Sequence, residues 1–524
     1  MSKTFRDYNN RTAASWWRDP SLRKNVLCAS ISYWGAFSLG YDGSYMNGLQ
    51  SLETWNEFFD HPSGNRLGII SAISYLPSLA LLPTYSLACD YLGRRWANWI
   101  GCSVLLLGAL IGTFATEDHA DGMLMGGRAL VGVGGSLILL STNLLCNEIL
   151  HPRLRAVGAA FFLVFYYVGS IVSAWCTFGV IATGMGGSWS WRLPTLLQIV
   201  GPSVVFVGTI FIPESPRWLL SRGKVEQAHK LLADHHANGD LNDELVLHEL
   251  EEIQEALARE KREKVGFMSF FKTKGNRHRL FIVTTVATGS QGNGVAVFSY
   301  YLTPVLKLAG VTSALQQTGI NGGLQIWNLI LAGLGASMAE RLGRRKVWLM
   351  GTGGMAVCYI VLIGLSGGFA NTQDTSIGLA SVGFMFLCFG FYDLCWTPLA
   401  FSYTTEILPF SMRASGMAFF VWMQNATLCI NQWVNPVALD AAGWKYYFIF
   451  LGALIILFIA IYFTFVETKG LSLEEIFLLF DHNEGQTLAD KKEAVDAHMK
   501  LSNKATEVRH LEVASEEKDS DLVV

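Results

Sequence analysis

Between residues 26 and 466 the sequence keeps returning to apolar runs long enough to cross a bilayer, and this recurrence limits the possible folds more than any motif. A helix needs about 20 predominantly apolar residues to span the hydrocarbon layer. Twelve runs reach that length, at about 26–48, 66–88, 96–114, 121–144, 156–180, 192–212, 279–305, 314–338, 346–366, 377–400, 413–437 and 444–466. Lipid offers backbone groups no partner, so each run predicts a helix. Only 15% of the 524 residues are charged, well below the roughly 25% of a soluble domain. The net charge of -3 points to no polyanionic partner, so no nucleic-acid binding is expected.

The runs fall into two blocks of six, and one short turn occurs in both. Asp90-Tyr91-Leu92-Gly93-Arg94-Arg95 follows the second run, and Glu340-Arg341-Leu342-Gly343-Arg344-Arg345 follows the eighth. Glycine permits a tight turn there, and the arginines stop the helix from sliding into lipid. A duplicated six-helix unit is how many secondary transporters are built.

Loop charge predicts the orientation. Lys3, Arg6, Arg11, Arg18, Arg23 and Lys24 precede the first run, and Arg94, Arg95, Arg153, Arg155, Arg344, Arg345, Lys346 and Arg413 occupy alternate loops. The opposite loops are mostly acidic, with Glu53, Glu57, Asp60, Glu117, Asp118 and Asp121. Both termini are therefore expected in the cytoplasm, and no cleaved signal is expected in the polar first 25 residues. The expected division is a cytoplasmic segment 1–25, a first bundle 26–212, a cytoplasmic linker 213–278, a second bundle 279–466 and a tail 467–524. In the linker, Val246, Leu250, Ile253 and Leu257 recur at helical spacing, predicting amphipathic helices. The tail is polar and acid-rich, which predicts disorder over most of it.

The nine cysteines lie in or beside apolar runs, with no CxxC pair and no Cys/His cluster. They read as small buried hydrophobes, and neither a metal site nor a cofactor is expected. No phosphate-binding loop or nucleophile motif occurs in a polar segment long enough to fold as a catalytic domain, so the chain does not read as an enzyme.

Pro213-Glu214-Ser215-Pro216-Arg217-Trp218-Leu219 ends the sixth run, and Glu467-Thr468-Lys469-Gly470-Leu471-Ser472-Leu473-Glu474-Glu475 ends the twelfth. Gly127-Arg128, Glu148 with Arg155 seven residues on, and Glu406 with Arg413 seven on complete the set. Together these resemble the signatures of the sugar porter family of the major facilitator superfamily, over nearly all of the chain outside its tails. Gly40-Tyr41-Asp42-Gly43, Tyr166-Tyr167-Val168-Gly169-Ser170 and Gly443-Trp444-Lys445-Tyr446-Tyr447 are most similar to its fungal lactose-permease and hexose-transporter branch. The fold implied is an all-α membrane protein of the major facilitator type, with 12 transmembrane helices in two pseudo-symmetric six-helix bundles.

The resemblance also implies roles. Asp90, Arg94, Arg95, Glu148 and Arg155 would form one gating network, with Glu340, Arg344, Arg345, Glu406 and Arg413 as its twin. Asp42 within the first span needs a partner in lipid, and the resemblance pairs it with Arg128 for proton coupling. Gln291, Asn328 and Asp393 would bind a sugar, with Trp396, Tyr300 and Tyr301 for ring stacking or gating. The chain departs from the family at Ser86, Ser290, Ala296 and Leu163, where relatives often carry glycine, glutamine, asparagine and glutamine. Gln424, Asn425, Asn431 and Asn435 are amides that can compensate. A disaccharide, a glycoside or an atypical polyol then competes with a common monosaccharide.

The function expected is transport of a mono- or disaccharide by alternating access, imported with a proton across the plasma membrane. The expected partners are a sugar, protons and the lipid bilayer; a monomer is plausible. A facilitated uniporter, an exporter of a metabolite or glycoside, and a non-transporting sugar sensor remain as alternatives.

Overall fold

The computed structural model describes residues 10–13, 15–262, 267–469, 471, 476, 479 and 480. The tail read as disordered, from 481 on, and Lys3 and Arg6 lie outside the described residues, as does the side chain of Glu340. Every element described is helical.

Twelve long segments follow the twelve apolar runs. TM1 is Pro20–Ser51, TM2 Gly64–Leu92, TM3 Arg94–Thr113, TM4 Ala120–Ile149, TM5 Pro152–Ala182 and TM6 residues 189–208. TM7 is residues 274–308, TM8 Ala314–Leu342, TM9 Arg344–Thr372, TM10 Thr375–Ile407, TM11 Phe410–Ala442 and TM12 Tyr447–Thr464. Most extend past the apolar run by a turn or more, and TM1, TM5, TM7 and TM10 begin on a side-chain cap. Asp19 shows how: its carboxylate accepts from the N–H groups of Ser21 (3.0 Å) and Leu22 (3.1 Å) at the head of TM1. Burial pushes that carboxyl up, but hydrogen bonds from Ala13, Asn238, Ser21 and Leu22 outweigh it and hold it down at about 2.

TM2–TM5, TM9 and TM10 are each apolar enough to cross a membrane, as is the continuous stretch Met412–Thr464 that holds TM12 and most of TM11. TM1, TM6, TM7 and TM8 are more polar or interrupted, and three of them, TM1, TM7 and TM8, pack across the divide between the halves. TM6 passes through a 3-10 turn at Leu197–Ile199. TM7 breaks after Gly292, where Gly294 has φ +95° and the Val295 N–H turns to Asn293 Oδ1 at 3.1 Å. It breaks again at Tyr301.

Within the first half, TM1 and TM5 approach until their backbones touch. A Cβ on Gly40 would lie 1.8 Å from the Tyr166 carbonyl oxygen, and one on Gly169 would lie 2.1 Å from that of Phe37. Only small residues permit this contact.

Both LGRR turns lie at one end of the bundle, called here the turn end. Across the opposite, far end the halves are joined: the Gly64–Ala72 part of TM2 packs on TM11, TM5 on TM8, and TM1 on TM7 and TM8. Asn47 of TM1 fills the second break of TM7, accepting from Leu302 N at 3.1 Å and, through its carbonyl, from Thr303 Oγ1 at 2.9 Å. Its amide also donates to the Ser299 carbonyl, and Gln50 donates to the Tyr300 carbonyl at 3.2 Å. Trp433 Nε1 donates to Asn65 Oδ1 at 2.8 Å. Among the described residues, every hydrogen bond between the halves lies midway along the helices or nearer the far end.

Under the turn end, the helices Val225–His236 and Glu244–Arg262 pack through Leu232, Ala233, Ala237 and Val246. His236 faces two acceptors, with Nδ1 2.6 Å from Glu249 Oε2 and Nε2 2.8 Å from the Ile149 carbonyl, so it is held as an imidazolium. Burial alone would lower its pKa, but the Glu249 carboxylate and the hydrogen bonds outweigh that and raise it. His151 lies 5.1 Å away between ring centroids, and burial, helped by the His236 charge, pushes it down to about 3.

Candidate functional site

Asp393 is the centre of the polar interior. It stands near the middle of TM10 and is 2% exposed. Thr397, one turn on, donates to its Oδ1 at 2.8 Å, and Tyr167, midway along TM5, donates to the same oxygen at 3.1 Å. The Asn328 amide, turned so that donors meet acceptors, donates to Oδ2 at 3.1 Å and to the Leu324 carbonyl at 3.1 Å. The cluster thus draws on both halves at mid-depth.

More amides lie close by. Asn321 donates to Ser44 Oγ at 3.3 Å across the halves, and Gln325 donates to Asn321 Oδ1 at 3.2 Å. Gln424 donates to Ser290 Oγ at 3.0 Å, Tyr392 to the Ser290 carbonyl at 3.2 Å, and Asn431 to the Gln291 carbonyl at 2.6 Å. Hydroxyls, amides and a carboxylate in a buried centre suit a polyhydroxylated ligand.

Asp42 lies in the second half of TM1. Its Oδ1 stands 3.7 Å from Arg128 Nη1 and accepts no hydrogen bond. Arg128 instead donates to the Tyr45 hydroxyl at 2.6 Å and to the Ile70 carbonyl at 2.9 Å. The pair is close, but no hydrogen bond joins Arg128 to Asp42 Oδ1. A small cavity lined by Ser38, Asp42, Ser74, Ser136 and Gln198 lies beside it.

The two turn clusters repeat each other. Arg94 holds Glu148 through Nε and Nη2, both at 2.9 Å, and reaches Asp90 at 3.4 Å. Arg344 reaches Glu406 at 3.1 Å, and the Thr468 hydroxyl donates to the other Glu406 oxygen at 2.5 Å. Arg95 donates to the carbonyls of Thr209 (3.2 Å) and Ile210 (3.3 Å), and Arg345 to that of Tyr462. Gly93 and Gly343 sit at φ +97° and +96°, a region that favours glycine. Each acid–arginine contact stays within its own half.

Several expected residues lie elsewhere. Arg155 does not meet Glu148; it points to Glu249 of the linker at 3.7 Å, because TM4 ends at Ile149 and TM5 starts afresh at Pro152. Arg413 donates to the Leu408 carbonyl at 3.4 Å and joins no acid among the described residues. Trp396 is 0% exposed and stands edge-on to Trp348, with centroids 4.6 Å apart, inside the second half's own core. Tyr301 is equally buried and donates to Gln432 Oε1 at 3.0 Å. Neither is brought to the Asp393 cluster. Tyr300 is half-buried with its ring edge-on to Tyr75, centroids 6.3 Å apart, and Gln291 makes no hydrogen bond to the cluster among the described residues. Thr397, Asn321 and Gln325 are neighbours that the sequence reading passed over, and Tyr167 entered it only as part of a branch signature.

Twelve spans in two matching halves, meeting around buried polar groups at mid-depth, define a multi-pass secondary transporter of the major facilitator fold. Solved structures agree. The xylose transporter XylE from E. coli, in a partially occluded inward open conformation, superposes with TM-score 0.70 at 19% identity, covering 86% of this chain and all (100%) of that one. XylE described as a proton:xylose symporter bound to 6-bromo-6-deoxy-D-glucose gives TM-score 0.69 at 21% identity, covering 88% and 99%. The family model "Sugar (and other) transporter" matches residues 27–480, and the chain belongs to this family of sugar porters. Among its relatives, the MFS-type transporter criB of Aspergillus cristatus is 28% identical over 463 residues, 88% of this chain and 94% of that protein. A quinate permease of Emericella nidulans is 26% identical over 505 residues, 91% and 90% of the two chains.

Proposed function

We propose that this sugar porter imports a neutral sugar or polyol across the plasma membrane by alternating access, with a proton as the coupled ion. The observation that carries the reading is the Asp393 cluster: a carboxylate, an amide and hydroxyls from both halves converge at mid-depth. Asp42 supports the coupling, standing 3.7 Å from Arg128 with an oxygen free of hydrogen bonds. With the termini in the cytoplasm, as loop charge argues, the joined far end is extracellular and the conformation faces inward. The turn clusters then act as cytoplasmic latches, engaged across the halves only in the outward-facing state. Asn328 and Gln291 serve the same ligand, and Tyr300 and Tyr75 close over it from the far end.

A second reading, a polyol that carries a carboxylate, is favoured by the quinate permease among the relatives. Asp393 argues against it, since no buried cation stands beside that carboxylate among the described residues.

The test is uptake of labelled mono- and disaccharides and of quinate in cells lacking their own transporters, with and without a proton uncoupler. Accumulation that collapses with the uncoupler, and is lost in Asp42→Asn while exchange persists, is the expected result. No uptake of any neutral sugar or polyol sinks the reading. Uptake indifferent to the uncoupler removes the proton and leaves facilitated diffusion.

A further inference from the structure

Three donors hold the Asp393 carboxylate, and they do not belong to one body. Thr397 lies on the same helix and Asn328 on TM8 of the same half, so both move with Asp393. Tyr167 belongs to TM5, in the other half. Its ring is braced edge-on by Tyr166, centroids 5.4 Å apart, and TM5 is locked to TM1 through Gly169 and Gly40. When the halves separate, the Tyr167 hydroxyl therefore leaves with the first half. A carboxylate offers about four acceptor positions, and three are occupied here by uncharged donors. No lysine, arginine or histidine lies within ion-pair distance of Asp393 among the described residues.

We propose that the Tyr167 hydroxyl is a stand-in for a substrate hydroxyl, seated on Asp393 until a neutral polyol displaces it, and that the same carboxylate refuses polyols that carry a negative charge. This rests on reading Asp393 as a substrate residue. The swap exchanges one O–H donor for another, so the carboxylate stays satisfied throughout. What changes is the tie between the halves: Tyr167 on Asp393 joins them, whereas a bound polyol frees Tyr167. Occupancy and opening are thereby linked, because the ligand engages Asp393 only in the state where that bond is broken. A carboxylated polyol meets a like charge in a dry site with no cation to offset it.

The experiment compares initial uptake of labelled D-glucose, D-xylose, maltose, lactose, myo-inositol and quinate by the full-length wild type, Tyr167→Phe, Asp393→Asn and Asp393→Glu, each normalised to its surface level. The wild type should take up at least one neutral compound and not quinate; uptake of quinate alone overturns the inference and leaves a transporter. No uptake of any compound overturns the proposed function and this inference together. Removing the competing hydroxyl in Tyr167→Phe should lower KM for the neutral substrate about threefold or more, a change that loss of a purely structural bond would not give. An unchanged or raised KM overturns the swap. Asp393→Asn should raise the quinate-to-neutral uptake ratio about tenfold, and Asp393→Glu should leave quinate excluded. An unchanged ratio in Asp393→Asn overturns the charge filter. If that variant does not reach the surface, Tyr167→Phe and the wild-type refusal of quinate decide the proposal.

Discussion

Glu214 Oε1 accepts the backbone N–H of Arg94 at 3.0 Å, and its Oε2 accepts that of Arg95 at 3.2 Å. Glu467 does the same for Arg344 (2.8 Å) and Arg345 (3.2 Å). The acid that ends each six-helix block thus caps the helix that begins after that block's glycine turn. Orphan N–H groups and the helix dipole both favour a carboxylate there. Glu214→Ala and Glu467→Ala should each cost about 1 kcal/mol, and Glu214→Gln less. Thermal-shift melting in detergent reads the loss, and unchanged melting in both alanine variants would refute the capping role.

Arg94 is 6% exposed and holds both oxygens of Glu148. Removing it leaves a part-buried acid with no charged partner, which disturbs the equilibrium between conformations and leaves the mid-depth site untouched. Arg94→Ala should cut maximal transport about tenfold or more while keeping the order of substrate preference. Lysine, lacking the two-pronged geometry, should restore only part of it. Altered preference with unimpaired turnover would count against the latch.

Gly40 tolerates no side chain, since a Cβ there would lie 1.8 Å from a backbone oxygen that cannot give way. Gly40→Ala should destabilise the TM1–TM5 pair by about 2 kcal/mol, seen as reduced surface level and a lower melting temperature. Gly179 of TM5, where a Cβ meets nothing within 4 Å, is the control: Gly179→Ala should be tolerated.

The buried histidines give docking of the linker a pH dependence of two signs. His151, lowered from 6.5 to about 3, favours docking above its ordinary value and loses that contribution as pH falls below 6.5. His236, raised by Glu249, contributes below its ordinary value and loses its share as pH rises through the raised one. Docking should therefore be tightest near neutrality. Between pH 7.5 and 5.5 the wild type should lose about 1 kcal/mol more than His151→Asn. Hydrogen exchange across Val225–His236 at those two pH values measures the difference, and equal slopes would exclude His151 as its source.

The twelve spans and the duplicated turn were legible in the sequence because both are one-dimensional: run length, charge and a repeated string. Helix rotation is not. Trp396 follows Asp393 by three residues, which leaves it about 60° away around the helix, enough to aim it at Trp348 instead of the centre. Arg155 stands seven residues from Glu148, yet the helix ends between them, so spacing does not put them on one face. Tyr167 stood in the sequence only as part of a branch signature, without a role; its hydroxyl matters only once TM10 of the other half is beside it.

The seal across the far end is made by Asn47, Gln50, Asn65 and backbone carbonyls, and no ion pair between the halves takes part among the described residues. Dissolved salt weakens attraction between charges over about 10 Å at 0.1 M and far less between such dipoles in contact. A door fastened by amides opens about as readily in brine as in rainwater. The turn end, by contrast, carries the Arg94–Glu148 and Arg344–Glu406 ion pairs, and those are contacts that dissolved salt does weaken.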